Sequence, residues 1–315
     1  MKQDTGSVRR DARGDIALFV ALVFALSLAL YLPIFLRSKP VTEQPLLIVA
    51  LMWTPALAAV GAGKLRRHPS PIRRTRHALG LDGALGLGGA LGRGGALGLA
   101  GALRLGGADR RGAAGRAIGV AVLLPVATGF VAYGVAWIAG LAELVTMTPG
   151  VRPIISLLNE LVRAITLGVL PGVVIVAGEE WGWRWFLAPR LRRSGIPHPL
   201  LFGGMVWAAW HAPLIASGQY AAGGGPVIAV AAFTVLAIAL HALWSHWVHT
   251  TGSLWPALIG HSAWNTIIQF PFDGHTTGEQ AALWIGDSGV IVALVCATFV
   301  GALLLPARRR SGGTP

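Results

Sequence analysis

The stretch Ile16 to Leu36, IALFVALVFALSLALYLPIFL, holds 21 residues without a charge. A bilayer core of ~30 Å is crossed by about 20 helical residues, so this run is long enough to span it. A basic start precedes it (Lys2, Arg9, Arg10, Arg13), as in a secretory signal. The run is longer than a signal's apolar region, however, and lacks a clear small-residue cleavage site, so it reads as an uncleaved first span. Working outward, largely uncharged stretches of similar length recur at 44–63, 117–142, about 162–188, 199–217, 226–248, 253–270 and 284–305. The expected fold class is an all-α integral membrane protein of about eight transmembrane helices.

Composition agrees. Hydrophobic residues make up 54% of the 315 and charged residues 12%, against roughly 25% charged in soluble domains. A water-facing surface cannot be built from that. The net charge of +13 taken alone would suggest nucleic acid, but so few charges on so apolar a chain exclude that partner and fit basic membrane-flanking loops. With eight spans, 22 of the 26 Lys and Arg fall on one side, which places both termini in the cytoplasm by the positive-inside rule. These charges then serve orientation and need no acidic partner. The use of 23 Arg against 3 Lys suggests a high-GC coding bias, hence a bacterial plasma membrane. The single cysteine, Cys296, rules out an intrachain disulfide and a multi-cysteine zinc framework.

The chain divides into 1–63 (tail and first two spans), 64–116 (a basic, Gly-rich cytoplasmic linker), 117–306 (a helical core) and 307–315 (a basic tail). Within the linker, residues 78–107 repeat a hexapeptide of the form ALGLGG. Glycine at this density disfavours a stable helix, and the repeat carries no catalytic residue types.

Three polar clusters interrupt the C-terminal half. A charged side chain in a bilayer costs roughly 2.5–3.5 kcal/mol on insertion scales and is a functional-site hypothesis by default. The first cluster is Gly178-Glu179-Glu180-Trp181-Gly182-Trp183-Arg184. Adjacent helical carboxylates point about 100° apart and cannot share one role. Glu180 and Arg184, at i and i+4, can pair, which leaves Glu179 without a partner in its own helix and free to act as a base. The second cluster, Trp207 to Pro213, puts His211 mid-span. In the third, His261 and Asn265 share a helix face. Carboxylate, imidazoles and carboxamide together can polarise a water and hold a developing oxyanion. Singly, either histidine could be no more than a helix-to-helix hydrogen bonder.

These motifs resemble those of the CPBP family (CAAX prenyl protease and bacteriocin-processing, also Abi or type II CAAX proteases). The pattern E-E-x-x-x-R matches Glu179-Glu180 to Arg184, F-x-x-x-H is approximated by Trp207 to His211, and H-x-x-x-N matches His261 to Asn265. The resemblance covers about residues 160–270. It implies an intramembrane endopeptidase in which Glu179 is the general base assisted by His211. His261 and Asn265 stabilise the oxyanion, and Glu180 and Arg184 support them. Trp207 stands where the family often has Phe, a departure that reads as neutral because both are large apolar aromatics.

Metal use is open. Glu179, His211 and His261 could form a two-His, one-carboxylate zinc site, but the H-E-x-x-H helix that makes zinc the default is lacking, so a metal-free enzyme without cofactor is preferred. Gly286-Asp287-Ser288-Gly289 fits a serine-protease G-x-S-G pattern, but no histidine follows residue 275. His241, His246 and His249 read as interfacial. The expected function is hydrolysis of peptide bonds in membrane-associated peptides or proteins, with peptide substrate and lipid bilayer as partners. A transporter or non-catalytic scaffold using the same residues as a proton or metal relay is the alternative.

Overall fold

The computed structural model describes residues 5–37, 43–66, 108–220 and 223–311. The hexapeptide repeat lies outside the described residues. The described chain is helical almost throughout. Its helices are α1 (Thr5–Leu36), α2 (Pro45–Leu65), α3 (Ala108–Ile138), α4 (Pro153–Arg163), α5 (Val169–Glu180), α6 (Ala188–Arg193), α7 (Pro199–Ala216), α8 (Pro226–Thr251), α9 (Trp255–Ile267), α10 (Ala281–Trp284) and α11 (Val290–Ser311). α4, α5 and α6 run end to end through two π-helical segments, Ala164–Gly168 and Trp181–Leu187, and a third, Ile268–Phe272, extends α9. Proline opens α2, α4, α7 and α8, where its fixed φ suits a first helical turn and its missing N–H would be unpaired anyway. Two short antiparallel strands, β1 (Glu143–Leu144) and β2 (Thr276–Thr277), join the loops after α3 and α9 with Glu143 opposite Thr277.

Among the described residues, six helices are long and apolar enough to cross a membrane: Gly6–Leu36, Pro45–Leu65, Gly112–Ile138, Pro153–Arg193, Pro199–Ala216 and Pro226–Thr251. The chain is an integral membrane protein by this measure, with six such helices where eight were expected. The stretch 253–270 holds α9 and part of its π extension, and 284–305 holds the end of α10 and most of α11. Gly286, at a φ of +83°, turns the backbone between α10 and α11, so the last apolar helix starts only at Val290.

Small residues let the central helices touch. A Cβ on Gly178 would sit 2.6 Å from the Met52 carbonyl oxygen, and one on Gly182 would sit 2.7 Å from the Pro55 carbonyl carbon, so α5 and the π segment after it lie against the α2 backbone. Along α5, a Cβ on Gly172 would meet Ser262 Oγ at 2.3 Å, and that hydroxyl donates to the Val169 carbonyl at 2.5 Å. Close backbone approach of this kind, with polar side chains bridging, is how helices associate where lipid removes the hydrophobic drive. It fixes the Glu179-Glu180 turn between α2 and α9.

The basic end of the bundle corrects two expectations. Asp15, 5% exposed, accepts from Arg66 Nε at 3.2 Å and Arg190 Nε at 2.9 Å, and Arg13 donates to the Ser194 carbonyl at 3.0 Å. The flanking arginines therefore do have an acidic partner, and they lock α1 to the ends of α2 and α6. Arg184, one of the 22 basic residues assigned to the cytoplasmic side, is buried and belongs to the core.

Candidate active site

Glu179 and Glu180 occupy the last turn of α5, where it passes into the π segment Trp181–Leu187. Such segments recur at functional sites because the widened turn re-aims side chains. The two carboxylates are 1% and 0% exposed, and they face different partners. Glu180 Oε1 accepts from Arg184 Nη1 at 2.7 Å and is 2.7 Å from His261 Nδ1. The i, i+4 pair expected from sequence is formed, and His261 joins it from α9. Glu179 Oε2 accepts from Trp207 Nε1 at 2.7 Å and from Trp183 Nε1 at 3.3 Å. The expectation that Glu179 has no partner in its own helix is thus corrected: Trp183, one turn on, supplies the weaker of two indole donors.

Trp207 is not a neutral replacement for phenylalanine. Its N–H holds Glu179, its ring lies edge-on to His211 and His261 at 5.5 and 5.6 Å, and the Arg184 guanidinium carbon sits 3.9 Å from its ring centroid. Trp244 stacks on His261 at 5.0 Å and also contacts Arg184, at 4.7 Å. Arg184 thereby exchanges water for one carboxylate and two indole faces, a cation–π setting.

His211 Nδ1 lies 3.0 Å from the Trp207 carbonyl. A carbonyl only accepts, so Nδ1 carries a proton, and in the neutral form of the ring the lone pair is on Nε2. Beside it, Trp210 Nε1 donates to Ser27 Oγ at 2.6 Å, and the Tyr31 hydroxyl donates to the Trp210 carbonyl. These bonds fasten α7 to α1 and set the depth of His211. His261 Nδ1 faces a carboxylate and likewise donates.

Glu179, His211, His261 and Asn265 all line one cavity of about 430 Å³ between α2, α5, α7, α8 and α9. Its walls are mostly apolar, with Ile48, Met52, Leu214 and Phe233 among them, as in small-molecule and peptide sites. The structure brings the four candidate catalytic residues together in one cavity, and its lining includes neither Glu180 and Arg184 nor His241, His246 and His249.

The cavity also holds polar residues that the sequence reading passed over. Asp287, 4% exposed, accepts from Tyr220 Oη at 2.5 Å, Gln269 Nε2 at 2.7 Å and Trp264 Nε1 at 2.7 Å. Burial, and then the Asp287 charge, push the Tyr220 phenol well above its ordinary value, so it stays a donor. Gln269 follows Asn265 by four residues, as Asn265 follows His261, and that spacing was a readable signal. Asp287 was considered only as part of a serine motif. Its neighbour Ser288 is buried, with no hydrogen-bond partner for Oγ among the described residues.

No three His, Cys, Asp or Glu side chains among the described residues gather closely enough to hold a metal ion. Within the set Glu179, His211 and His261, Glu179 Oε2 accepts from indole donors and His261 Nδ1 faces Glu180. His241 instead contacts Ser245 Oγ at 3.3 Å.

No curated protein and no solved structure matches the chain. Residues 161–267, the span that contains Glu179, Glu180, Arg184, His211, His261 and Asn265, match the family model described as type II CAAX prenyl endopeptidase Rce1-like. The matched stretch takes in all three ordered motifs, and over it the chain is similar to that family of CAAX proteases.

Proposed function

We propose that the protein is an intramembrane endopeptidase that hydrolyses a peptide bond of a membrane-associated peptide or protein inside the 430 Å³ cavity. The observation that carries the reading is the convergence of Glu179, His211, His261 and Asn265 from three helices on one largely apolar space. A water beside Glu179 loses a proton to the carboxylate as its oxygen bonds to the scissile carbonyl carbon. His211 Nε2 accepts a hydrogen bond from the same water and fixes its direction. The carbonyl oxygen becomes an oxyanion, facing Asn265 and His261. Collapse breaks the C–N bond, and the proton held by Glu179 passes to the leaving amine.

For His261 to donate to the oxyanion, Nε2 must carry a proton as well as Nδ1, and the Glu180 carboxylate at 2.7 Å balances that charge. Arg184 on the same Glu180 oxygen orients the carboxylate. No metal is needed for these steps. Substrates are membrane-borne segments, prenylated or not, because the cavity is walled by apolar helices.

The test is a Glu179→Gln variant reconstituted in proteoliposomes with membrane-anchored peptides, prenylated and unprenylated. Loss of at least a hundredfold in turnover is expected, and activity near wild type would sink the mechanism. A stoichiometric zinc in purified protein, with activity lost on chelation and restored by zinc, would overturn the metal-free reading.

A further inference from the structure

A second cavity, of about 310 Å³, lies at the basic end of the bundle between α6 and α8. Its polar lining is Arg184, Arg192, Arg193, Ser245 and His249, with Trp185 and Val248 beside them and no carboxylate among its residues. Arg192 spends one N–H on the Ser245 carbonyl at 3.3 Å, and Arg193 and His249 are exposed. Arg184 is the informative member. Its Nη1 is held by Glu180, while its buried Nε and Nη2 have no hydrogen-bond partner among the described residues. Buried guanidinium donors left unmatched are costly, and here they belong to a side chain that borders a cavity of surplus positive charge.

We infer that this cavity binds a phosphate group, carried by a phospholipid headgroup or as free inorganic phosphate. Guanidinium forks match phosphate oxygens in pairs, and basic recesses between membrane helices take anionic headgroups. Trp185 suits the headgroup level of a bilayer, where indoles concentrate. Because Arg184 also holds Glu180, which holds His261, occupancy of this cavity is one side chain away from the site described above. The binding claim does not depend on the proposed hydrolysis.

The experiment uses the full-length protein. Thermal unfolding is followed in zwitterionic detergent while inorganic phosphate replaces chloride at constant ionic strength, and in nanodiscs of phosphatidylcholine with increasing phosphatidylglycerol. A saturable rise in Tm is expected in at least one arm, since a ligand of the folded state stabilises it by mass action. A rise in both arms assigns the phosphate group itself, a rise in nanodiscs alone assigns the lipid, and a rise in detergent alone assigns the free ion. The double variant Arg193→Gln/His249→Gln changes exposed side chains and leaves the Arg192–Ser245 and Arg184–Glu180 bonds in place. It should weaken the apparent affinity about tenfold, and Arg193→Gln alone about fivefold. No saturable rise in either arm, or equal affinity in the wild type and both variants, overturns the proposal.

Discussion

Replacing Glu180 with glutamine separates two glutamates that the chain sets side by side. Glu180 is 0% exposed, and one of its oxygens serves both Arg184 Nη1 and His261 Nδ1 at 2.7 Å. Glutamine keeps the shape and one acceptor but removes the charge, leaving the fully buried Arg184 guanidinium with only the faces of Trp207 and Trp244. Removing one partner of a buried ion pair costs about 3–5 kcal/mol, because the other charge stays behind unpaired. Glu179→Gln is different. Its carbonyl oxygen can still accept from the Trp207 and Trp183 indoles, so only the charge assistance is lost, about 1 kcal/mol. Unfolding of both variants in detergent, by denaturant and by heat, should therefore rank Glu180→Gln well below Glu179→Gln, and cleavage assays on surviving folded protein should rank Glu179→Gln lowest. A double variant, Glu180→Gln/Arg184→Met, removes both charges and should recover most of the lost stability. If Glu180→Gln lies within about 1 kcal/mol of wild type, or if Glu179→Gln is the less stable of the two, the assignment of structural and reactive roles fails.

Trp207→Phe removes the shorter hydrogen bond to Glu179 and keeps an aromatic face for Arg184. Turnover in proteoliposomes should fall about tenfold or more, and Tm should fall with it, since a buried hydrogen bond to a charged group contributes about 1.5–3 kcal/mol. Gly182→Val drives a side chain into the Pro55 backbone, so the protein should unfold at markedly lower denaturant, by about 1–3 kcal/mol, with the α2 contact opened. Stability should also respond to pH through Asp273, whose carboxyl is pushed up to about 7 by burial and then by Asp287, against the pull of its Tyr133 hydrogen bond. The unfolded chain gives up this proton near the ordinary value of about 4. The stabilisation is therefore present in full below that pH and is lost as pH rises to about 7, at no more than about 1.4 kcal/mol per pH unit. Melting curves from pH 4 to 8 should slope downward, and Asp273→Asn should flatten them.

Local relations were readable in the sequence and distant ones were not. The Glu180–Arg184 pair follows from helical spacing alone, and so does the shared face of His261 and Asn265. The bond between Glu180 and His261 joins residues on α5 and α9, so no periodicity reveals it. Trp207 was legible as an aromatic but not as a donor, because the direction of an indole N–H depends on where another helix sets its carboxylate. Arg184 was misplaced among loop charges for the same reason: its environment comes from α7 and α8. The stretch 284–305 was apolar enough to be counted from its start, but hydropathy does not register that Gly286 turns the backbone and delays α11 to Val290. Asp287 escaped notice because its three donors come from the loop after α7, from α9 and from the π turn after it.

The contact of α2 with the Gly178–Gly182 turn has a consequence for how such a protein can vary. Residues 161–267 match the family model, yet Pro45, Ile48, Val49, Leu51 and Met52, all on α2, form part of the cavity wall. Part of the cavity wall thus lies outside the matched stretch. Substitutions on the cavity face of α2 can reshape that space without touching Glu179, His211, His261 or Asn265, and an excised 161–267 fragment would lack one side of the cavity.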